Sequence, residues 1–587
     1  MSGLLATSLS GLMAAQRSLE TVQNNISNVN TEGYSRQRVE QSTNMSQLTG
    51  DGYVGQGVSV NNISRSYDQF ITKQLNSSLS AFGEADQYQQ LSTRVDNLMA
   101  DPSTGIATVL NSFFNAANEV ANDPTSIPSR QVLLANADTL AQSLNTMSSQ
   151  FEAIRTQNNN DMSSKVNDIN SLAKSIADLN VQISSGLGKG QGLKQPNDLL
   201  DKQDALISKL AAIVNVSVVH QTDGSSSVFI GNGQALVLKN GAAEFTTFQS
   251  QSDPSKLGIG IKTMMGTNDI TGQISGGSLG GALRFRDEVL DSAQQQLGRV
   301  AVGLAMSVNS LHKSGYDLAG NQGIDLFSGV TTVPVLASPL NIGKANVTAS
   351  FQDPNVTQGA VGNLDYSDFS LTYAGGTSYS LTRIRDSQVI NLTGTETVPA
   401  SGVFTLSATT ANASLPGINM QVDMSGGKAL SLGDQFLIRP TYTAAQTIGV
   451  NITDPRKIAA ATNVEIDPVT KLPVSIIKGP MPSDNRNALK LAALQNTRGM
   501  VGGNASLNDT YGQIVSSVGS LTQAAQVSSS AQQTLLNQAK GSREGLSGVN
   551  LDEEAANLIK FQQAYQASAQ SIAVVKSLFD TLIGAVR

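Results

Sequence analysis

The chain has 587 residues but no cysteine, no tryptophan and only two histidines. Without cysteine there can be no disulfide, no thiolate zinc site and no cysteine nucleophile. His220 and His312 have no second ligand at metal-binding spacing, so both read as packed or surface residues and no metal site is expected. Charge is scarce, at 14% of residues, and the net charge is -7. No basic patch is dense enough to neutralise a phosphate backbone, which argues against nucleic acid as a partner. No stretch reaches the roughly 18 apolar residues of a membrane span. The first residues lack a basic n-region and a compact apolar core, so a cleaved signal peptide is not expected. Nothing in the chain resembles a catalytic constellation. The expectation is a protein that is not an enzyme and carries no cofactor.

What is present is helical periodicity. From Asn550, Leu551, Leu558, Tyr565, Ile572, Phe579 and Val586 recur every seven residues. Phe561, Val575 and Leu582 fall on the same stripe. A strict seven-residue period is a coiled-coil seam. Asn550 is placed to cap this helix, with Glu553 at the capping-box position and Asp552 and Glu554 at the positive end of the dipole. At the other end, Leu5, Leu12, Leu19 and Ile26 repeat by seven. A helix striped on one side needs a partner. The two chain ends are therefore expected to pair, and the faces left over, small and polar, to pack against copies of the chain.

The interior alternates between two periods. Helices are expected over 80–100 and 105–122, with Ile63–Leu75 helical before them. A long helix over 129–184 keeps Leu133, Leu140, Met147 and Ile154 in register, slips by one residue, and resumes with Met162, Ile169, Ile176 and Ile183. Gly186–Gly192 reads as a flexible connection rather than an anion loop. Alternating Val214, Val216 and Val218 open a small β excursion. Helix returns through Leu283, Leu290, Leu297, Leu304 and Leu311. Residues 329–481 read as β. Tyr511, Ile514, Val518, Leu521 and Ala525 form a further helix, and 542–550 reads as the hinge into the last one.

The fold expected is mainly α with β insertions: a long coiled-coil-like helical bundle stalk made from both chain ends, plus projecting β-rich domains. Its parts are 1–40 paired with 548–587 as an inner tube domain; 41–212, 276–328 and 482–547 as a helical stalk; 213–275 as a small β excursion; and 329–481 as an outer β-rich domain.

Asn24, Asn25 and Asn28, followed by Thr31, Gly33 and Tyr34, resemble the N-terminal motif of the bacterial flagellar axial proteins, which build rod, hook and hook-associated structures. The continuation Tyr34-Ser35-Arg36-Gln37 resembles the hook-associated branch. So do the stretch SGYDLAGNQGIDLF (314–327) and the ending SLFDTLI. The resemblance implies a structural adaptor joining hook to filament, exported through the flagellar type III channel and located outside the cell. It implies a ring-like homo-oligomer whose neighbours are the hook protein and a second junction protein, with an export chaperone holding the C-terminal helix. It also implies terminal helices that order only on assembly. The alternatives are a rod or hook subunit, or a secreted adhesin or wall-cutting enzyme acting through 329–481.

Overall fold

The computed structural model describes residues 2–49, 52–101, 105–189, 194–251, 253–330, 332–354, 360–394, 402–409, 415–462, 464–466, 473–476 and 482–586. Eleven α-helices are found among them: α1 Ser2–Ser27, α2 Gln69–Ala100, α3 Ile106–Asn122, α4 Ile127–Lys189, α5 Asn197–Ile213, α6 Gly277–Phe285, α7 Asp291–Ser314, α8 Ala444–Thr447, α9 Arg486–Ala493, α10 Leu507–Ser547 and α11 Leu551–Val586.

The stalk is built from α2 to α7, α9 and α10. Helix α10 lies along α2, and α4 packs on α3 and α5. Its length comes from α4, whose 63 residues span about 95 Å. The seam slip inside α4 does not break it. At the slip, Ile154 is only half-buried, and the seam passes through Phe151, Arg155 and Asn158 instead. The buried Arg155 pairs with Asp291 at 2.7 Å and donates to Gln294 at 2.7 Å. The apolar period fails there because the helix buries ion-pairing side chains at that level. The facing helix is also irregular: a π-turn at Arg286–Leu290 separates α6 from α7.

Three boundaries differ from those expected. The strand after Gly57 continues to Arg65, and Asp68, not a residue near Ile63, caps α2, accepting from the N–H of Phe70 and Ile71. Helix α4 runs on through Gly186 to Lys189; Gly190–Gly192 lie outside the described residues. Helix α10 continues through 542–547, and the hinge shrinks to Gly548, Val549 and Asn550.

The β excursion at 216–269 does not project. Val228, Ile230, Val237 and Ile259 join the same buried core as Leu140, Met162 and Ile176 of α4. The stretch 439–462 likewise adds Ala445, Ile448 and Ile458 to the stalk core. The outer unit with its own core is narrower, lying within 332–438, and inside that range Ala360 and Leu364 turn back into the stalk core. Its strands follow the order 332–333, 346–351, 418–423, 403–408, 389–394, 378–383, 369–375, 435–438, 335–337, each antiparallel to the next. The first and last members are consecutive in the chain, separated only by Pro334. Thr332 and Val333 pair with Ser350 and Ala349, while Val335 to Ala337 pair with Ile438 to Phe436. The sheet is thus a closed barrel. Alternate residues point inward and fill it, among them Phe369, Leu371, Leu381, Leu406 and Met420.

Barrel and stalk meet at a charged joint. Arg439 donates to Asp368 (3.0 Å) and Asp253 (3.1 Å) and lies 3.4 Å over the Tyr442 ring. Asp291 forms ion pairs with Lys256 at 2.6 Å and with Arg155. Arg155, Arg439, Asp253, Asp291 and Asp368 are all buried. Gly298 of α7 lets the backbone pass: a Cβ there would sit 1.8 Å from the Thr441 carbonyl oxygen.

Candidate functional site: the meeting of the two chain ends

Helices α1 and α11 pack antiparallel. Asn25 bonds Glu554, and a Cβ on Gly11 would sit 3.2 Å from Ser568 Oγ, so the register runs in opposite senses. The face of α1 that is buried consists of Ala14, Ala15, Ser18, Thr21, Val22 and Asn25. These are small side chains, and they let the helices approach closely. The leucines lie to one side of that seam. Leu12, Leu19 and Ile26 are half-buried, and Leu5 is exposed. On α11, Leu558, Phe561, Ile572 and Val575 are half-buried, while Leu551, Tyr565 and Phe579 are exposed. The side chain of Val586 lies outside the described residues. Leu4, Leu9, Met13, Ile559, Val574, Leu578, Leu582 and Ile583 are also exposed. Among the described residues, no buried hydrophobic cluster has a member from either helix. The pair is an apolar surface without a core.

What ties this pair to the stalk is polar. Asn25 is 1% exposed and uses all four of its hydrogen-bonding positions. Its Nδ2 donates to the Gln37 carbonyl (2.9 Å) and to Glu554 Oε2 (3.2 Å); its Oδ1 accepts from Tyr34 Oη (2.8 Å) and the Gln37 N–H (2.9 Å). Glu554, also 1% exposed, takes Arg36 Nε at 2.7 Å. Arg36 then grips Glu553 with both terminal nitrogens, at 2.8 and 3.0 Å. The hydrogen bond to Glu553 holds the Arg36 guanidinium above its usual range despite partial burial. Burial, reinforced by Asp198, Asp201 and Glu554, pushes the Tyr34 phenol up, so it remains a donor.

Helix α5 supplies the stalk side. Asp198, Asp201 and Asp204 recur every three residues along one face. Asp198 accepts from Gln37 (3.1 Å), Asp201 from the Ser35 N–H (3.0 Å), and Arg65 bridges Asp201 (2.9 Å) and Asp204 (2.6 Å). Burial raises the Asp204 carboxyl, and Arg65 only partly offsets it. From α10, Arg543 donates to the Gly33 carbonyl at 2.8 Å, and the Ser547 carbonyl accepts from the Arg36 N–H at 2.8 Å. Gly33 adopts φ +86°, and a Cβ would lie 3.1 Å from Ala205.

The N-terminal motif therefore divides. Asn25 and Tyr34 lie inside the knot and Gly33 makes its turn. Asn24, Asn28 and Thr31 fasten the end of α1 to itself, through Asn28 Nδ2 to Asn24 (3.0 Å) and Thr31 Oγ1 to Asn28 (3.1 Å). The acidic start of α11 has a second role besides its dipole. Asn550 caps as expected, accepting from the Asp552 N–H at 2.9 Å, but Glu553 and Glu554 turn to Arg36 rather than closing a capping box. The pairing of Arg36 with Glu554, and the part played by Asp201, are not readable from sequence; the one signal is a lone Arg beside the motif and acidic residues at the far chain end.

The chemistry elsewhere is structural. His312 donates through Nδ1–H to the Ile324 carbonyl and accepts the Ala459 N–H at Nε2 at 2.9 Å; burial holds its pKa down at about 4. Contrary to the sequence reading, one stretch, Gly276-Gly277-Ser278-Leu279-Gly280, has nucleophile-elbow spacing, but both histidines bond elsewhere; Gly277 packs closely against Ile213 and Val214, and Gly276 against Ser80 and Asn215.

Comparison with known proteins finds matches at both chain ends and along the stalk. Residues 92–327 match the helical-domain model of flagellar hook-associated protein FlgK. Residues 5–34 match the flagella basal body rod protein model, and 545–585 the C-terminal model of the flagellar basal body rod FlgEFG proteins. The chain is 35% identical to flagellar hook-associated protein 1 of Salmonella typhimurium, over 99% of this chain and 100% of that protein. It is 32% identical to the Escherichia coli protein of the same name, with the same coverage. The solved structure of the flagellar hook junction protein FlgK from Burkholderia pseudomallei superposes with a TM-score of 0.70 at 27% identity, covering 81% of this chain and 100% of that one. The chain belongs to the FlgK family of flagellar hook-associated proteins, structural components of the hook–filament junction.

Proposed function

We propose that the chain is the adaptor subunit that joins hook to filament, and that it assembles through the exposed apolar faces of α1 and α11. The observation that carries this reading is the coreless helix pair at the chain ends. Burying a leucine or phenylalanine side chain contributes about 1.5–3 kcal/mol, so a face with many such side chains in water favours association strongly. Small residues on the intrachain seam keep the pair thin, and the large ones are left for neighbours. In this reading 1–40 and 548–587 form the inner, coiled-coil-like part of a tube wall. The segments 41–212, 276–328 and 482–547 form the stalk, 213–275 and 439–462 are attached to its core, and 332–438 forms the outer part.

Both terminal helices order fully when neighbours cover them. The subunit leaves the cell through the flagellar export channel, with a chaperone shielding the C-terminal helix. Its neighbours are copies of itself in a ring, the hook protein below and the second junction protein above. The role is mechanical, with no catalysis and no cofactor. The test is location. Sheared flagella are labelled with an antibody to residues 329–481 and imaged. One band between hook and filament is expected. Label along the hook or rod, or protein only in the medium, would overturn the reading.

A further inference from the structure

The hairpin formed by Leu257–Thr263 and Gly266–Asp269 turns through two residues, Met264 and Met265. Two-residue hairpin loops ordinarily carry Asn, Asp or Gly, because these solvate well and accept the turn geometry. Here both positions are apolar, and both side chains are exposed to the full, at 108% and 102% of the reference. No hydrophobic cluster includes them. Gly266, the first strand residue after the turn, adopts φ +131°, with open space where a Cβ would lie. The methionine side chains pack against no core.

The chain has neither cysteine nor tryptophan, so methionine is its softest side chain toward oxidants. Among the described methionines, Met424 is half-buried against the barrel core and the others divide into two groups. Met99, Met147, Met162, Met306, Met420 and Met500 are buried. Met13 and Met45 are the other exposed ones, at 59% and 88%. Met13 lies on α1 among the apolar residues assigned above to assembly.

We propose that Met264 and Met265 form a modification site, a tip that accepts oxygen from peroxide to give methionine sulfoxide without disturbing the fold. The step is a two-electron transfer. The thioether sulfur attacks one oxygen of hydrogen peroxide, the O–O bond breaks, an S–O bond forms, and the departing hydroxide takes the remaining proton and leaves as water. Sulfur is oxidised and the peroxide reduced. Oxidation makes the side chain polar. At a buried methionine that costs core packing; at this tip the sulfoxide meets only water. By consuming peroxide here, the tip spares Met13, whose oxidation would place a polar group on the assembly face. That last clause rests on the assembly reading; the site itself does not.

The test is per-residue sulfoxide mapping by mass spectrometry on the full chain, with about one equivalent of hydrogen peroxide per chain. Met264 and Met265 are expected to be oxidised at least about tenfold faster than the buried methionines, with no change in melting temperature. In the double variant Met264→Leu, Met265→Leu, the same peroxide should raise sulfoxide at Met45 and Met13. Equal oxidation of tip and buried methionines, a tip left unreacted while Met45 oxidises, or a fall in melting temperature on tip oxidation would each overturn the proposal. If the sulfoxides fall as expected but Met13 oxidation leaves assembly intact, the site stands and the assembly reading of Met13 fails.

Discussion

Replacing Asn25 by alanine should unfasten the terminal helices while leaving the stalk folded. The side chain makes four hydrogen bonds, and its removal strands four buried partners: the Tyr34 hydroxyl, both backbone groups of Gln37, and one oxygen of Glu554. At a net loss of about 1 kcal/mol for each bond, docking weakens by about 3–4 kcal/mol, and the bond to a carboxylate places the value toward the upper end. That corresponds to a rise of between about two and three orders of magnitude in the fraction of molecules with the knot open. The Arg36 amide reports it directly, because its N–H donates to the Ser547 carbonyl across the joint. Hydrogen exchange at Arg36 should quicken by several hundredfold, while amides within α4 keep their protection. Asn24→Ala is the control. Asn24 has the same composition and belongs to the same motif but is exposed, bonding only to Asn28 by its side chain. If Asn24→Ala loosened Arg36 as much as Asn25→Ala, or if neither did, the knot would not be what holds the chain ends.

Three other outcomes follow from the geometry. Ile572→Asp puts a charge on the half-buried face of α11; subunits should fold, with stalk melting unchanged, but fail to incorporate into sheared flagella seen by microscopy. Gly298→Ala drives a Cβ onto the Thr441 carbonyl; overpacking there costs about 1–3 kcal/mol, seen as faster exchange at Arg439 and Thr441 with α7 still helical. The pH response has two opposed parts. His312 is held at about 4, below its ordinary 6.5, so its share of stability is present above pH 6.5 and is lost as pH falls toward 4. Burial lifts Asp368 from 3.8 to about 6, with Arg439 only partly opposing, so its share is present below pH 3.8 and is lost as pH rises to 6. Asp368→Asn removes the second part. Its stability relative to the unsubstituted chain should therefore climb between pH 4 and 6, read as melting temperature against pH; a constant difference would refute the assignment.

The long helices are legible because each buries a continuous stripe. Leu283, Leu290, Leu297 and Leu304 repeat by seven and all are buried. The slip near Ile154 is legible as a change of seam, but its cause is not: Arg155 and Asn158 are buried against residues more than a hundred positions away. The terminal leucines illustrate a different limit. Periodicity finds an apolar face without saying what covers it, and here Ala14, Ala15 and Ser18 are buried while Leu5 is exposed. The β alternation of Phe369 and Leu371 or Tyr379 and Leu381 identifies strands, yet barrel closure depends on one segment pairing with two others distant in sequence. The knot is hidden for the same reason. Asn25, Asp201 and Glu554 are adjacent only after the chain has folded back on itself.

Closure of the outer barrel has a consequence for how such a protein can change over time. The segment entering the barrel at Val335–Ala337 is hydrogen-bonded to the one leaving it at Phe436–Ile438, and the Arg439 N–H donates to the Pro334 carbonyl at 3.0 Å. Entrance and exit therefore lie side by side. The strands farther along, 389–394 and 403–408, can be lengthened or shortened without moving the helices beneath, provided the entrance and exit strands are kept together with 360–368, which packs on the stalk through Ala360, Leu364 and Asp368. Because a barrel offers no free strand edge, neighbouring subunits in a crowded array cannot fuse there by strand addition. The outer surface is free to diversify while the inner architecture stays fixed.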